Sequence, residues 1–161
     1  MSATPELFRQ AWGKFPTGVS IVTTHAETGS PWCTVANAIS SVSLDPLLVQ
    51  LSLGKASATG ANIARSGRFG LNFFKAGQAD MATFFAKGTP EQRQSLPAGH
   101  RITGNGTVLL DDALVSMDCR VTQQFEAGDH IVFIAAVELI EVREGAPLVF
   151  YEGGYTSLSP D

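Results

Sequence analysis

Apolar residues recur at helical spacing near the start of the chain and at strand-like spacing through much of the rest. Thr4, Pro5 and Glu6 read as an N-cap, a first-turn proline and an early acid. Leu7, Phe8, Ala11, Trp12 and Phe15 then fall on one face, which predicts an amphipathic helix. Residues 18–24 are rich in β-branched side chains and predict a strand, followed by a turn at 27–30 and further strands at about 32–37 and 47–53. The stretch 36–46 between those two reads as a loop, crowded with small and hydroxyl-bearing residues and ending in Asp45-Pro46. Residues 59–66 predict a helix stopped by Gly67. A strand at 68–74, a helix at about 78–87 and a short helix at 90–96 complete the middle, before a polar loop.

In the last third, Val115, Met117, Cys119 and Val121 alternate with Ser116, Asp118 and Arg120, the period of a strand with one buried face. The run 131–142 is too long for one clean alternation; its phase changes between Leu139 and Ile140, where a bulge is expected. Six or seven strands with a few helices predict a closed or nearly closed β-barrel with added helices. Strict βαβ repetition, which a doubly wound sheet requires, is absent. No repeat, low-complexity tract or linker divides the chain, so 1–161 is expected to be one domain.

Composition narrows the function. Hydrophobic residues make up 44% of the 161 and charged residues only 16%, which suggests that some apolar surface is covered by another subunit. A net charge of −4 argues against nucleic-acid binding. No apolar run approaches the ~18 residues of a membrane span. The start, Met1 to Glu6, shows no basic segment followed by an apolar one, so a cytoplasmic location is expected. Cys33 and Cys119 form no CxxC pair, and with His25, His100 and His130 they give no metal-ligand spacing. Two buried, reduced thiols are expected, with no metal and no disulfide.

The chemistry concentrates in Gly54-Lys55-Ala56-Ser57-Ala58-Thr59, which opens directly into a predicted helix. A helix start offers unpaired N–H groups and the positive end of its dipole. Two hydroxyls and a lysine there would hold a phosphate well. On the residues alone, Ser57 as a simple cap and Lys55 as a solvated charge remain the alternative. The segment is not a P-loop, because GxxxxGK[ST] is missing.

Order and spacing add to this. Phe15-Pro16-Thr17-Gly18-Val19, Ser41-Val42-Ser43-Leu44-Asp45-Pro46, Lys55-Ala56-Ser57-Ala58-Thr59, Phe69-Gly70-Leu71-Asn72, Phe84-Phe85-Ala86, Gly128-Asp129-His130 and Pro147-Leu148-Val149-Phe150 with Tyr155 follow one another along the chain. In that order the sequence resembles the flavin reductase family, whose members supply reduced flavin to two-component monooxygenases. The resemblance implies an FMN-binding split β-barrel working as a homodimer. It implies an NAD(P)H:flavin oxidoreductase that passes a hydride from NADH or NADPH to FMN or FAD for a separate flavin-dependent monooxygenase.

Carried over by position, Val35, Ala36, Asn37 and Ala38 would lie against the isoalloxazine ring, with the turn containing Ser41, Ser43 and Asp45 nearby. Lys55, Ser57 and Thr59 would hold the flavin phosphate. Phe85, Ala86 and Lys87 would line the outer part of the site, and Tyr155 would sit near the flavin. His130 would stand where the nicotinamide stacks, as the one candidate catalytic residue; a structural histidine paired with Asp129 is the alternative. Trp12 and Trp32 read as packing residues. The family's glycine and threonine before the ring-contacting segment are Cys33 and Val35 here, and its Asp-Pro-Pro reads Asp45-Pro46-Leu47. A flavin-binding carrier or sensor without turnover is a second reading on the same fold, and a split-barrel oxidase of a pyridoxine phosphate a third.

Overall fold

The computed structural model describes residues 2–158; Met1 and 159–161, which the one-domain expectation also spans, lie outside the described residues. In chain order the elements are α1 (Pro5–Gly13), β1 (Thr17–Gly18), β2 (Ser20–His25), β3 (Pro31–Ala36), β4 (Ile39–Leu44) and β5 (Leu47–Gly54). Then come α2 (Ala58–Ser66), β6 (Arg68–Phe73), α3 (Ala79–Lys87), α4 (Pro90–Arg93), β7 (His100–Ile102) and β8 (Val108–Leu110). β9 (Val115–Ala127), β10 (His130–Val142), β11 (Leu148–Tyr151) and β12 (Gly154–Ser157) finish the chain. The protein is mainly β with a few helices, and no described helix is long and apolar enough to cross a membrane.

Seven strands form one antiparallel sheet in the order β3-β2-β6-β9-β10-β5-β4, with smaller sheets β1-β11-β12 and β7-β8 beside it. β3 and β4 stand at opposite ends of that order, yet only Asn37 and Ala38 separate them in sequence. Three Cα steps can span at most about 11 Å, so the sheet must roll until its two edges meet at this link. The two edges do not pair as a ladder among the described residues, so of the closed or nearly closed barrel expected, the rolled sheet shows no closure by hydrogen bonds along this seam.

Rolling gives two cores. Inside lie Val22, Leu51, Phe69, Leu71, Phe133 and Ala135; outside, Ile21, Cys33, Phe74, Ala82, Phe85 and Leu110 pack beneath α3. Val22 and Ile21 are neighbours pointing to opposite faces, which is why β2 is buried along nearly its whole length.

Several boundaries depart from the pattern. The 36–46 segment is not all loop: residues 39–44 form β4, paired with β5 from Ile39↔Leu51 to Leu44↔Leu47. An edge strand needs only one buried face, and Ser40, Ser41 and Ser43 suit an edge that meets solvent. Among the described residues there are twelve strands rather than six or seven, because besides β4 the pieces 17–18, 100–102, 108–110 and the C-terminal hairpin are short ladders without a clear alternation. β9 runs on to Ala127, past Val121, through the exposed and polar Thr122, Gln123 and Gln124. The β10 irregularity falls at Glu138, between Val137 and Leu139, and a second lies between Ile134 and Ala135. The alternation signal placed it two residues late because Leu139 and Ile140 both follow the inserted Glu138.

Candidate flavin site

β5 and β10 carry the candidate residues to one end of the rolled sheet. His130 pairs with Gly54, and Lys55 N donates to Asp129 O at 2.9 Å, so the start of α2 and the β9–β10 hairpin are locked together by backbone. Ser57 is the N-cap of α2: its Oγ accepts from Gly60 N at 3.3 Å and its carbonyl from Ala61 N at 3.1 Å. That leaves the amides of Ala58 and Thr59 without an intrahelical partner, an anion-attracting pair at the positive end of the helix. Lys55 Nζ lies beside them in sequence and pairs with Glu126 Oε2 at 2.5 Å. Gly67, in the left-handed region at φ 69°, closes the same helix as expected.

Thr59 is placed differently from the expectation. It is 1% exposed, and its hydroxyl accepts from Trp32 Nε1 at 3.1 Å, so its side chain is turned into the fold and is not offered to a ligand. Trp32 therefore does more than pack: it ties β3 to α2. Two residues on, Thr34 Oγ1 accepts from Arg93 Nη1 at 2.8 Å, while Arg93 Nη2 and Nε donate to Ala86 O and Gly88 O at 2.9 and 3.1 Å. The end of α3, with Ala86 and Lys87, is thereby stapled along β3 close to the start of α2. Phe85 is buried in the outer core beside Phe74 and Leu110, so it supports this segment instead of lining a surface.

Val35 also packs against that outer core, while Asn37 and Ala38 are exposed in the link between β3 and β4. Ser52 N donates to Ala38 O at 2.9 Å, which fixes the link against β5 three residues before Lys55. Asn37 Nδ2 donates to Thr17 Oγ1 at 3.1 Å. On the other side of the link is a cavity of about 530 Å³, rimmed by Phe15, Thr17, Asn37, Ser40 and Ser41 and floored by apolar side chains such as Leu71, Phe73 and Met117. That volume lies within the ordinary range of small-molecule pockets. Lys55, Ser57 and His130 are not part of its lining.

Ser43 and Asp45 are not brought to the same place. Ser43 Oγ accepts from Asp45 N at 3.2 Å in the tip of the β4–β5 hairpin. From Leu47 to Lys55 is eight strand steps, ~26 Å along β5. Tyr155, on β12, packs edge-on against Phe150 with ring centroids 5.7 Å apart; both rings pack against the outer core, and neither is part of the cavity lining. Burial raises the Tyr155 phenol pKa.

His130 is half-exposed, with Nδ1 2.7 Å from Asp129 Oδ1. The hydrogen bond from His130 is the main reason the Asp129 carboxyl sits below its ordinary range, with Lys55 contributing. The pairing read as the structural alternative thus exists, and it still leaves Nε2 free to meet a ligand. Glu126, Trp32 and Arg93 were missed as site residues. Only Glu126 had a usable signal, four residues ahead of His130 across a Gly128 turn.

The chain belongs to the flavin reductase like domain family, which matches residues 12–159. It is 38% identical to an NADH-dependent FMN reductase, AsuE2, of Streptomyces nodosus subsp. asukaensis, over 94% of this chain and 83% of that protein. It is 35% identical to HsaB, the reductase subunit of a flavin-dependent monooxygenase from Rhodococcus jostii, over 98% of this chain and 80% of that one. The solved structure of the flavin reductase PheA2 in its native state superposes with a TM-score of 0.88 at 34% identity, covering 98% of this chain and all of that one.

Proposed function

We propose that this chain is an NAD(P)H:flavin oxidoreductase that reduces FMN or FAD and supplies the reduced flavin to a separate monooxygenase. The observation that carries this is spatial. A phosphate-type site at Lys55 and the Ala58 and Thr59 amides lies three strand steps, ~10 Å, from the Asn37–Ala38 link and the apolar cavity beside it. A flavin has a flat ring and a phosphate joined by a five-carbon ribityl chain, and these residues fit that layout. Val35, Ala36, Asn37 and Ala38 present backbone to the ring, Ser41 borders it, and Ala86 and Lys87 line the outer side. Ser43 and Asp45 belong to the hairpin tip and contribute to the site only through the fold of β4.

The redox chemistry, a hydride passed from NADH or NADPH to the flavin, is supplied by the two cofactors when bound. The chain orients. Small residues at 36 and 38 let a ring approach the backbone, whose amides can donate to an edge that gains negative charge on reduction. His130, steadied by Asp129 through Nδ1, offers Nε2 to position the nicotinamide. Such alignment supplies several kcal/mol, up to ~7–11 in the best intramolecular cases.

The whole of 1–161 acts as one flavin reductase-like domain, an FMN-binding split β-barrel whose unpaired seam is the ring site. A homodimer is supported by the uncovered aromatic face of α1, and a cytoplasmic location by the two buried free thiols. The test is anaerobic: catalytic protein with each pairing of NADH or NADPH and FMN or FAD should bleach the flavin absorbance. An oxidised spectrum that persists with all four pairings overturns the proposal.

A further inference from the structure

The candidate phosphate site already holds an anion of its own. Lys55 Nζ is 2.5 Å from Glu126 Oε2, and both side chains are solvent-exposed. Their meeting is built into the sheet. Glu126 pairs with Ile131 on β10, and Ile131 pairs with Leu53 on β5, so the three form one row across neighbouring strands. Lys55 follows two residues after Leu53, just past the end of β5, so the lysine and glutamate reach toward each other diagonally across two strand spacings of ~9.6 Å, within the combined length of the two side chains. Asp129 stands on the same hairpin and feels the Lys55 charge, so this corner sets one lysine against two carboxylates. An incoming phosphate therefore has to displace Glu126 from Lys55 and then sit beside the carboxylate it has displaced.

We propose that Glu126 is a resident competitor for the flavin phosphate. It occupies Lys55 while the site is empty, lowers the affinity for phosphorylated flavins relative to riboflavin, and speeds their release. This rests on the reading of Lys55 as a phosphate ligand given above. A reductase that hands its flavin to another enzyme must let it go, and a carboxylate four residues from His130 provides for that without altering the ring site. The contact acts through exposed charges, so it is modest in size and sensitive to salt.

The experiment measures FMN and riboflavin affinity by quenching of flavin fluorescence at low ionic strength. It uses the wild-type chain, Glu126→Gln, Glu126→Ala, Lys55→Ala and the Glu126→Gln/Lys55→Ala double variant. Both Glu126 variants are expected to bind FMN roughly two- to fivefold more tightly, release it more slowly in stopped flow, and bind riboflavin as before. Raising the salt should shrink the gain. Without Lys55 the Glu126→Gln gain should fall away. Unchanged or weaker FMN binding in the Glu126 variants, or equal tightening for riboflavin, overturns the competition. If Lys55→Ala weakens FMN in that case, the phosphate reading survives alone. If Lys55→Ala leaves FMN affinity unchanged, the phosphate reading itself is wrong and the competition falls with it.

Discussion

Asp118 is a carboxylate with almost no exposed surface, and every hydrogen bond it accepts is to hold a neighbouring element in place. Its Oδ1 takes Thr107 Oγ1 at 2.7 Å and Arg68 Nη2 at 3.0 Å; its Oδ2 takes Asn105 Nδ2 at 3.0 Å and Thr103 Oγ1 at 3.1 Å. Burial by itself would raise its pKa, but the bonds from Asn105, Thr107 and Arg68 outweigh it and the carboxyl lies below its ordinary range. A folded pKa below the unfolded value gives stability that is complete above about pH 4 and fades as the pH falls through the folded value. Asp118→Asn should therefore lower the unfolding temperature at neutral pH, by an amount equivalent to ~2–4 kcal/mol for a broken buried network. The gap to wild type should stay level from roughly pH 5 to 8 and narrow below about pH 4. Thermal unfolding of both proteins across that range is the check, and a gap that persists unchanged to about pH 3 would remove the linkage. The two cysteines behave oppositely: burial pushes both thiols up to about 12, so neither is a thiolate at neutral pH.

At the scale of elements, Gly70 shows how tightly β6 is sandwiched. A Cβ there would come within 2.3 Å of both Thr23 Oγ1 and Val108 O, the latter a backbone atom that cannot swing aside. Gly70→Ala should cost ~1–3 kcal/mol or more, since β2 and β8 must part to admit it. A drop in the denaturant midpoint would register this, whereas no change would mean that the β8 strand yields freely. The sequence announced such elements unevenly. α2 was legible at both ends because capping is local chemistry: Ser57 sits next to the early amides it caps, and Gly67 directly after the last helical residue. β4 was not, because a serine-rich edge strand has little apolar alternation and is a strand only by virtue of β5. The same limit applies to the site. Lys55, Ser57 and the GDH hairpin could be picked out singly, but their meeting depends on the β5–β10 register. Thr59 turned inward because of Trp32, a contact across 27 residues that no local pattern encodes.

Across the whole molecule the unresolved demand is α1. Its apolar face formed as predicted, yet none of its described residues is buried, and Trp12 remains 64% exposed where a packing role was expected. Phe8, Trp12 and Phe15 line up with ring centroids 5.9 and 5.5 Å apart. The helix is nonetheless fixed, since Glu152 N donates to Gly13 O at 3.0 Å and Lys14 pairs with Glu152. A pinned helix presenting a row of aromatics to water is a surface in want of a cover. Covered on two copies, these three rings would supply roughly half of the ~1,600 Å² that a standard stable interface buries. Phe15 also rims the cavity, so the cover would reach the proposed ring site. Wild-type protein at micromolar concentration should run at twice the chain mass in light scattering, and Phe8→Glu/Trp12→Glu at the mass of one chain. The monomeric variant should also show a raised KM for flavin, because the rim at Phe15 loses its support. A wild-type chain that scatters as a monomer would refute the homodimer. A double variant that stays dimeric would move the interface to another apolar edge, with the exposed Val42, Leu44 and Leu47 of the β4–β5 hairpin the next surface to test.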